Sequence, residues 1–228
     1  MNRKELKKMT RYTYCTLDTE TVGGATIVDG IYHLGGRIHD RKGNVLATFN
    51  YLIAEHFAKI DSAFYGKKNF YKYAQMLLDG SITVVATEAE AIAMVNSLCN
   101  FYNVRYMMAY NSGFDFGKTA CASLIENREF IDIYLMTLQT ITHLKKYAKF
   151  CYENNLRSKS GKSVATSAEA VYAYLTNNPA YEEEHTALED AKIEMEIFLA
   201  CIAMHKKFTK NVHQHDCKEH KVFPKWAK

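Results

Sequence analysis

Alternating side chains run from position 11 to 17, with Tyr12, Tyr14 and Thr16 on one side and Thr13, Cys15 and Leu17 on the other, which is the period of a β-strand. Two further strand-like runs follow, "IYHLGGRIH" and "VLATFNYLI". The "DRKGN" between them reads as a hairpin turn, because Gly43 and Asn44 tolerate positive φ. The first third is therefore expected to be an antiparallel three-stranded unit. Then the period changes. Thr87 and Glu90 have the spacing of a capping box, Ile92, Val95, Leu98 and Tyr102 recur at helical intervals, and the apolar "VRYMMAY" reads as a buried strand. After "YNSGFDF" the pattern predicts a helix near 116–127, a short apolar "FIDIYLM" and a helix near 137–154. A polar basic loop, "NNLRSKSGKS", a break at "NNPAYEEE" and a long amphipathic helix from about 187 to 206 complete it. Hairpins first, then helices alternating with strands, amount to an α/β domain: a mixed sheet with helices packed on it.

Two prolines in 228 residues and no Gly/Ser-rich run leave no evident linker, so a single domain over 1–206 is expected, followed by a basic, His-rich tail over 207–228. Hydrophobic residues at 48% and charged ones at 24% exclude a disordered chain, and 16 tyrosines with 12 phenylalanines hint at stacking surfaces. A net charge of +4 is too small by itself to name nucleic acid as the partner. The opening "MNRKELKKMTRY" has no apolar segment after it, and no run approaches the roughly 18 apolar residues of a membrane span. A cytoplasmic protein is expected. Its six cysteines, without CxxC spacing, fit reduced thiols and not a disulfide framework.

Against this ordinary background "YCTLDTETVGG" stands out, since it places Asp18 and Glu20 on one face where the first strand is expected to end. Like charges held together there repel unless something positive sits between them. Asp115, in "AYNSGFDFGK", lies just beyond another predicted strand, and "EEEHTALEDAKIEMEIF" supplies His185 and Asp190. In one continuous helix those two would point about 140° apart at 100° per residue. Thr186-x-x-Glu189, however, is a second capping box, which leaves His185 outside the helix on a loop that can fold back. Four gathered carboxylates call for cations, and hard oxygen donors suit Mg²⁺ or Mn²⁺. Two such ions roughly 3.5–4 Å apart bind both the attacking and leaving oxygens of a phosphodiester, and a neutral histidine can take the proton.

"LDTET", "YNSGFD" and "HTALED" resemble, in order and approximate spacing, the three motifs of the DnaQ-like DEDDh family of 3′–5′ exonucleases. The resemblance extends in outline over 12–206. "SAEAVYAYLTNNPAYEEEHTALEDAKIE" is especially similar to exonucleases of bacteriophages and Gram-positive bacteria. It implies an RNase H-like fold with a mixed five-stranded sheet, two bound Mg²⁺ or Mn²⁺ ions, and release of nucleoside monophosphates from the 3′ end of nucleic acid, single-stranded DNA being the expected substrate. Asp18 would bridge both ions, Glu20 and Asp190 would complete one shell, Asp115 would hold the second ion, and His185 would be the general base. Thr19 and Thr21 would lie where the backbone meets the terminal nucleotide, with Asn111 and Phe114 also on the substrate side. One departure is Tyr110, where the family usually has histidine; it is expected to alter support of the site and not the chemistry. The implied setting is the cytoplasm of a bacterium or phage-infected host. A proofreading role would need a separate polymerase or replication protein. An RNA-directed relative, similar to oligoribonuclease or RNase T, and a non-catalytic nucleic-acid-binding module are the alternatives. The second has no need for mutually repelling carboxylates.

Other stretches carry less. "SKSGKS" lacks the glycine a P-loop needs where Leu156 stands. Asp132 fits either a supporting role or a solvated strand end. "FYGKKNFYKYAQ" (64–75) has the composition of a substrate grip or of a helix with buried aromatics and solvated lysines, and Arg157–Lys162 that of a second grip or an exposed loop. His205, His213, His215, Cys217 and His220 crowd the tail without a standard zinc spacing, so contact with nucleic acid or a partner is the favoured expectation.

Overall fold

A computed structural model describes residues 12–23, 28–63, 65–158 and 160–204. The Lys-rich start, Lys159 and the His-rich tail with its zinc-like residues lie outside the described residues. β1 (Thr13–Gly23), β2 (Val28–Asp40) and β3 (Val45–Ile53) form the expected antiparallel unit. Its second turn closes on Asp40, whose Oδ1 accepts from the Lys42 and Asn44 backbone N–H groups at 2.7 and 3.0 Å, while Gly43 takes φ 87°. β5 (Val104–Ala109) runs parallel to β1, and β6 (Glu129–Asp132) parallel to β5. The expected five strands are thus present. A sixth, β4 (Thr83–Val85), pairs parallel to the end of β3, giving the order β4-β3-β2-β1-β5-β6. Three residues are too few to display a period, so β4 leaves no signal in the sequence.

The helices are α1 (Ala54–Phe57), α2 (Gly66–Asp79), α3 (Glu88–Phe101), α4 (Asp115–Lys118), α5 (Ile133–Thr140), α6 (Lys145–Glu153), α7 (Ala168–Thr176) and α8 (Ala187–Met204). The capping box at α3 forms in modified shape: Thr87 Oγ1 accepts from the Glu90 N–H at 3.2 Å, and Glu90 reaches back to the N–H of Ala86 at 3.0 Å. The expected helix near 116–127 is instead the short α4 and a 3₁₀ segment, Ala120–Ile125. Thr119 separates them in an extended conformation, its hydroxyl donating to the Asp115 carbonyl and accepting from the Cys121 N–H. The expected helix near 137–154 is likewise split. α5 starts earlier, at Ile133, because Asp132 caps it through the Leu135 N–H, and the chain breaks over Ile141–Leu144 before α6.

Alternation along β1 sorts its side chains between two cores. Tyr14 packs with Met108, Ile131, Tyr147 and Phe198 under α5 to α8, whereas Cys15 and Leu17 pack with Val95, Met107 and Leu124 under α3. A third cluster joins Tyr32 and Leu52 to Tyr73 of α2. Among the described residues the five cysteines are free and buried, and no helix is long and apolar enough to cross a membrane.

Candidate active site

The parallel ladder between β1 and β5 spans only Thr13–Thr16 on β1. β5 stops at Ala109, whereas β1 continues to Gly23 against β2, so Asp18 and Glu20 lie mid-strand and not at a strand end. What places them in a cleft is the departure of β5, at the carboxyl ends of the parallel strands where ligands of open α/β sheets bind. Beyond β5, Asn111 adopts φ 60°, and its N–H is held at 3.2 Å by Asp132, which is buried and not solvated. This tight turn delivers Asp115 as the first residue of α4. There Thr19 Oγ1 donates to Asp115 Oδ1 at 2.7 Å.

Helix α8 brings the last carboxylate. Its first turn lies against β2 at Gly35, where an added Cβ would be 2.2 Å from the Leu188 nitrogen. The predicted capping box is not made: the Thr186 hydroxyl is buried without a partner, and Glu189 pairs with Lys192 at 3.0 Å. His33 serves the helix end instead. Asn50 Nδ2 donates to the Ser81 carbonyl, so its Oδ1 faces His33 Nε2 at 2.6 Å and must accept. His33 Nδ1 is thereby left to accept from the Ala187 N–H at 3.2 Å. Burial pushes His33 down to about 4, keeping this neutral tautomer.

So positioned, Asp18, Glu20 and Asp190 offer carboxylate oxygens within 4.8 Å of one another. Asp115 stands apart from that trio. The cleft that Asp18 and Asp190 face has a volume of about 520 Å³ and is also lined by Tyr110, Asn111, Glu183 and Glu194. Burial raises Asp18 and Glu20 well above the usual carboxylate range; among neighbouring charges, Glu194 acts most strongly on Asp18 and Asp190 on Glu20. Burial also pushes Asp190 up to about 8, with Glu183 adding to it, and Asp115 up to about 7 against the Thr19 hydrogen bond. Asp190 Oδ1 and Glu194 Oε2 are buried with no hydrogen-bond partner. An all-oxygen donor set with orphaned lone pairs and mutual repulsion fits hard divalent cations.

His185 lies outside α8, as expected, with φ 51°, but its loop is not free. Its ring stacks on Tyr65 at 3.7 Å and 11°, its carbonyl accepts from Asn69 Nδ2 at 2.7 Å, and Lys72 binds both the carbonyl and the carboxylate of Glu184. Within the basic-aromatic stretch, Tyr65 and the inner face of α2 from Gly66 onward thus clamp this loop. Tyr73 and Asn69 are buried, whereas Phe70 and Tyr71 remain exposed. His185 Nδ1 lies 4.0 Å from Glu183 Oε2, and burial is the main cause that lowers the imidazole below its ordinary value. Of the other expected contacts, Thr19 is buried against Asp115, and Thr21 is half-buried beyond a register shift at Glu20. Asn111 is exposed in the cleft, and Phe114 lies 5.9 Å from Lys118 Nζ. Tyr110 donates to the Thr166 carbonyl at 2.6 Å, tying the end of β5 to the segment before α7. Arg157 and Val164 form a bridge at the base of an exposed loop. Sequence reasoning missed Glu183, Glu194, Tyr65, Asn69 and His33. Only Glu194 carried a signal, its i+4 spacing from Asp190.

No family model matches the sequence, and no curated protein matches it. Among solved structures, cell-death related nuclease 4 (CRN-4) is similar with a TM-score of 0.55 at 13% identity, over 84% of this chain and 64% of that one. E. coli Exonuclease I in complex with a dA13 oligonucleotide gives 0.49 at 12% identity, over 86% of this chain and 42% of that one. S. pombe Pop2p in its Mg²⁺- and Mn²⁺-bound form gives 0.46 at 15%, over 90% and 87%. The chain therefore spans less than two thirds of the length of the first two. From the likeness to CRN-4 and the order of the six strands, the chain has an RNase H-like fold.

Proposed function

We propose that this protein is a divalent-metal-dependent 3′–5′ exonuclease that releases nucleoside monophosphates from single-stranded DNA. The observation that carries the reading is the trio Asp18, Glu20 and Asp190, held within 4.8 Å in a cleft with orphaned buried carboxylate oxygens. Asp18, Glu20 and Asp190 would hold one Mg²⁺ or Mn²⁺, and Asp18 with Asp115 a second. Bound there, the ions supply Lewis-acid activation of water and neutralisation of charge on the phosphodiester. The chain's own groups do the rest. With Nδ1 turned toward Glu183, His185 takes the proton of the attacking water at Nε2, and its lowered pKa keeps that nitrogen unprotonated at neutral pH. Water adds to phosphorus, the preceding 3′ oxygen leaves, and a 5′-monophosphate is freed. Asn111 and Phe114, with the backbone at Thr19 and Thr21, border the terminal nucleotide. In this reading the enzyme works beside a separate polymerase or replication protein in a bacterial or phage-infected cytoplasm.

The test is side-by-side digestion of 3′-labelled single-stranded DNA, duplex DNA and short RNA. Labelled mononucleotide is expected from single-stranded DNA with Mg²⁺ or Mn²⁺, none in EDTA, and none from Asp18→Ala with either ion. Full turnover in thoroughly chelated buffer would refute the mechanism. Faster release from RNA would make the enzyme an exoribonuclease of the same chemistry.

A further inference from the structure

Helix α2 has an inner face that the site uses and an outer face that it does not. Asn69 and Tyr73 are buried, and Lys72 is taken by Glu184. Lys67, Lys68 and Tyr71 are turned to solvent. The two lysines stand four and three residues before Tyr71, so all three share one side of the helix. Tyr71 is 67% exposed, and neither Lys67 nor Lys68 makes an ion pair among the described residues. Stability does not account for them. The first turn of α2 carries no acidic residue and no side-chain cap, so two lysines there oppose the helix dipole instead of complementing it. A tyrosine left that open contributes little apolar burial.

Their position ties them to the cleft. Tyr65, at the N-cap of α2, stacks on His185, and Tyr71 follows six residues later, about 9 Å along the axis at 1.5 Å per residue. That is about the length of two to three nucleotides of one strand at 3.4 Å each. Beyond the effect of burial, Lys68 and Lys72 both lower the His185 imidazole, which puts Lys68 within electrostatic reach of it. The cleft itself, lined by Asp18, Glu183, Asp190 and Glu194, repels a polyanion, so cations beside it are needed to draw one in.

We infer that Lys67, Lys68 and Tyr71 form a binding site for single-stranded nucleic acid on the outer face of α2, with phosphates on the lysines and a base stacked on the tyrosine ring. Its place in the reaction rests on the exonuclease reading above: with the 3′ end in the cleft, this face holds the strand on the 5′ side of the scissile bond. Two cations without ion pairs, flanking an open ring, suit a polyanion better than the surface of a protein partner. Backbone charge and the π-face of any base are all that the site reads, so it grips without regard to sequence.

Fluorescence anisotropy with a 5′-fluorescein-labelled oligothymidylate of about eight nucleotides, in EDTA so that nothing is cleaved, tests this. Wild type is expected to bind. The double variant Lys67→Gln/Lys68→Gln should bind at least 10-fold more weakly, with a log–log salt slope smaller by about 1.4, two contacts at ~0.7 each. Tyr71→Ala should bind about 5–100-fold more weakly and Tyr71→Phe as wild type does. Wild-type affinity in the double variant and in Tyr71→Ala, which is also the outcome if a protein is the true occupant, would overturn the site while leaving the exonuclease reading standing. So would a wild type that does not bind. Binding that these substitutions weaken, in a protein that releases no mononucleotide with Mg²⁺ or Mn²⁺, would overturn the exonuclease reading and leave the site standing. Should a variant fail to fold, photocrosslinking of wild type to an oligonucleotide carrying 5-iododeoxyuridine decides: an adduct on Tyr71 supports the site, and adducts confined to other segments refute it.

Discussion

His185 is the residue whose role depends most on its surroundings, because a left-handed backbone at a non-glycine position costs on the order of 1 kcal/mol or more unless neighbours enforce it. Tyr65 enforces it by stacking and Asn69 by binding the carbonyl. His185→Ala should therefore retain Mn²⁺ affinity while kcat falls by about 10²–10⁴-fold, and the acid limb of the pH–rate profile should disappear. Wild-type kcat with the same limb would assign the proton to another group. Tyr65→Ala should lower kcat by roughly 10–100-fold through misplacement of the ring, with Tyr65→Phe near wild type since the stack survives. Equal losses in both variants would place the hydroxyl, not the ring, in the mechanism. None of this clamp was legible in the sequence, where Tyr65 and His185 stand 120 residues apart. The grouping of Asp18, Glu20 and Asp190 was legible because like charges are seldom carried by separate motifs into one place unless a cation is to sit between them.

At the scale of elements, the site depends on how closely α8 approaches the sheet. Gly35 permits the contact and His33 receives the first helical N–H, so the position of Asp190 is set from β2. Gly35→Ala should push the helix off its seat, costing about 1–3 kcal/mol, or a Tm drop of about 2–4 °C per kcal/mol for a chain of this size. Mn²⁺ affinity should fall with it. A variant with unchanged Tm and affinity would mean that α8 is held by its apolar face alone. Five of the six strands, the hairpin and the existence of α8 followed from periodicity, whereas β4 and the helix boundaries did not. Thr119 breaks one expected helix by bonding its own neighbours, and Asp132 starts another early, both local hydrogen-bond effects that hydrophobic spacing does not register. The box expected at Thr186 has the right residues, but the helix end met His33 first.

For the molecule as a whole, the cleft is a source of instability that a bound divalent cation would relieve. Asp115 and Glu183 are pushed up to about 7 and Asp190 to about 8, while unfolded carboxylates titrate near 4. The folded state therefore binds more protons than the unfolded one between pH ~4 and ~8, and metal-free stability falls as pH rises through that window. His33 and His39, pushed down to about 4, act oppositely, but only up to the ordinary imidazole value near 6.5. Above it the carboxylates act without that opposition, joined only toward pH ~8.5 by buried cysteines such as Cys15 and Cys201, whose thiols are raised by burial and act in the same direction. Thermal melts in EDTA should show Tm declining from pH 6.5 to 8.5, and saturating Mg²⁺ should remove the decline by binding the folded state. A flat profile in EDTA would mean that these groups are not buried as described.

The short sixth strand has an effect far from the cleft. β4 covers β3 only at Tyr51–Ile53, so the outer edge from Val45 to Asn50 has no strand neighbour among the described residues. Val45 and Leu46 are more than 40% exposed along it. Open backbone beside apolar side chains is a template on which a second molecule can pair and begin to aggregate. The sequence supplies cationic residues only in the turn before it, Arg41 and Lys42. A lysine placed at the exposed Thr48 should raise the protein concentration at which heated samples cloud, while leaving nuclease turnover untouched. The limit on handling this protein at high concentration would then be set at the rim of its sheet and not at its carboxylate cleft.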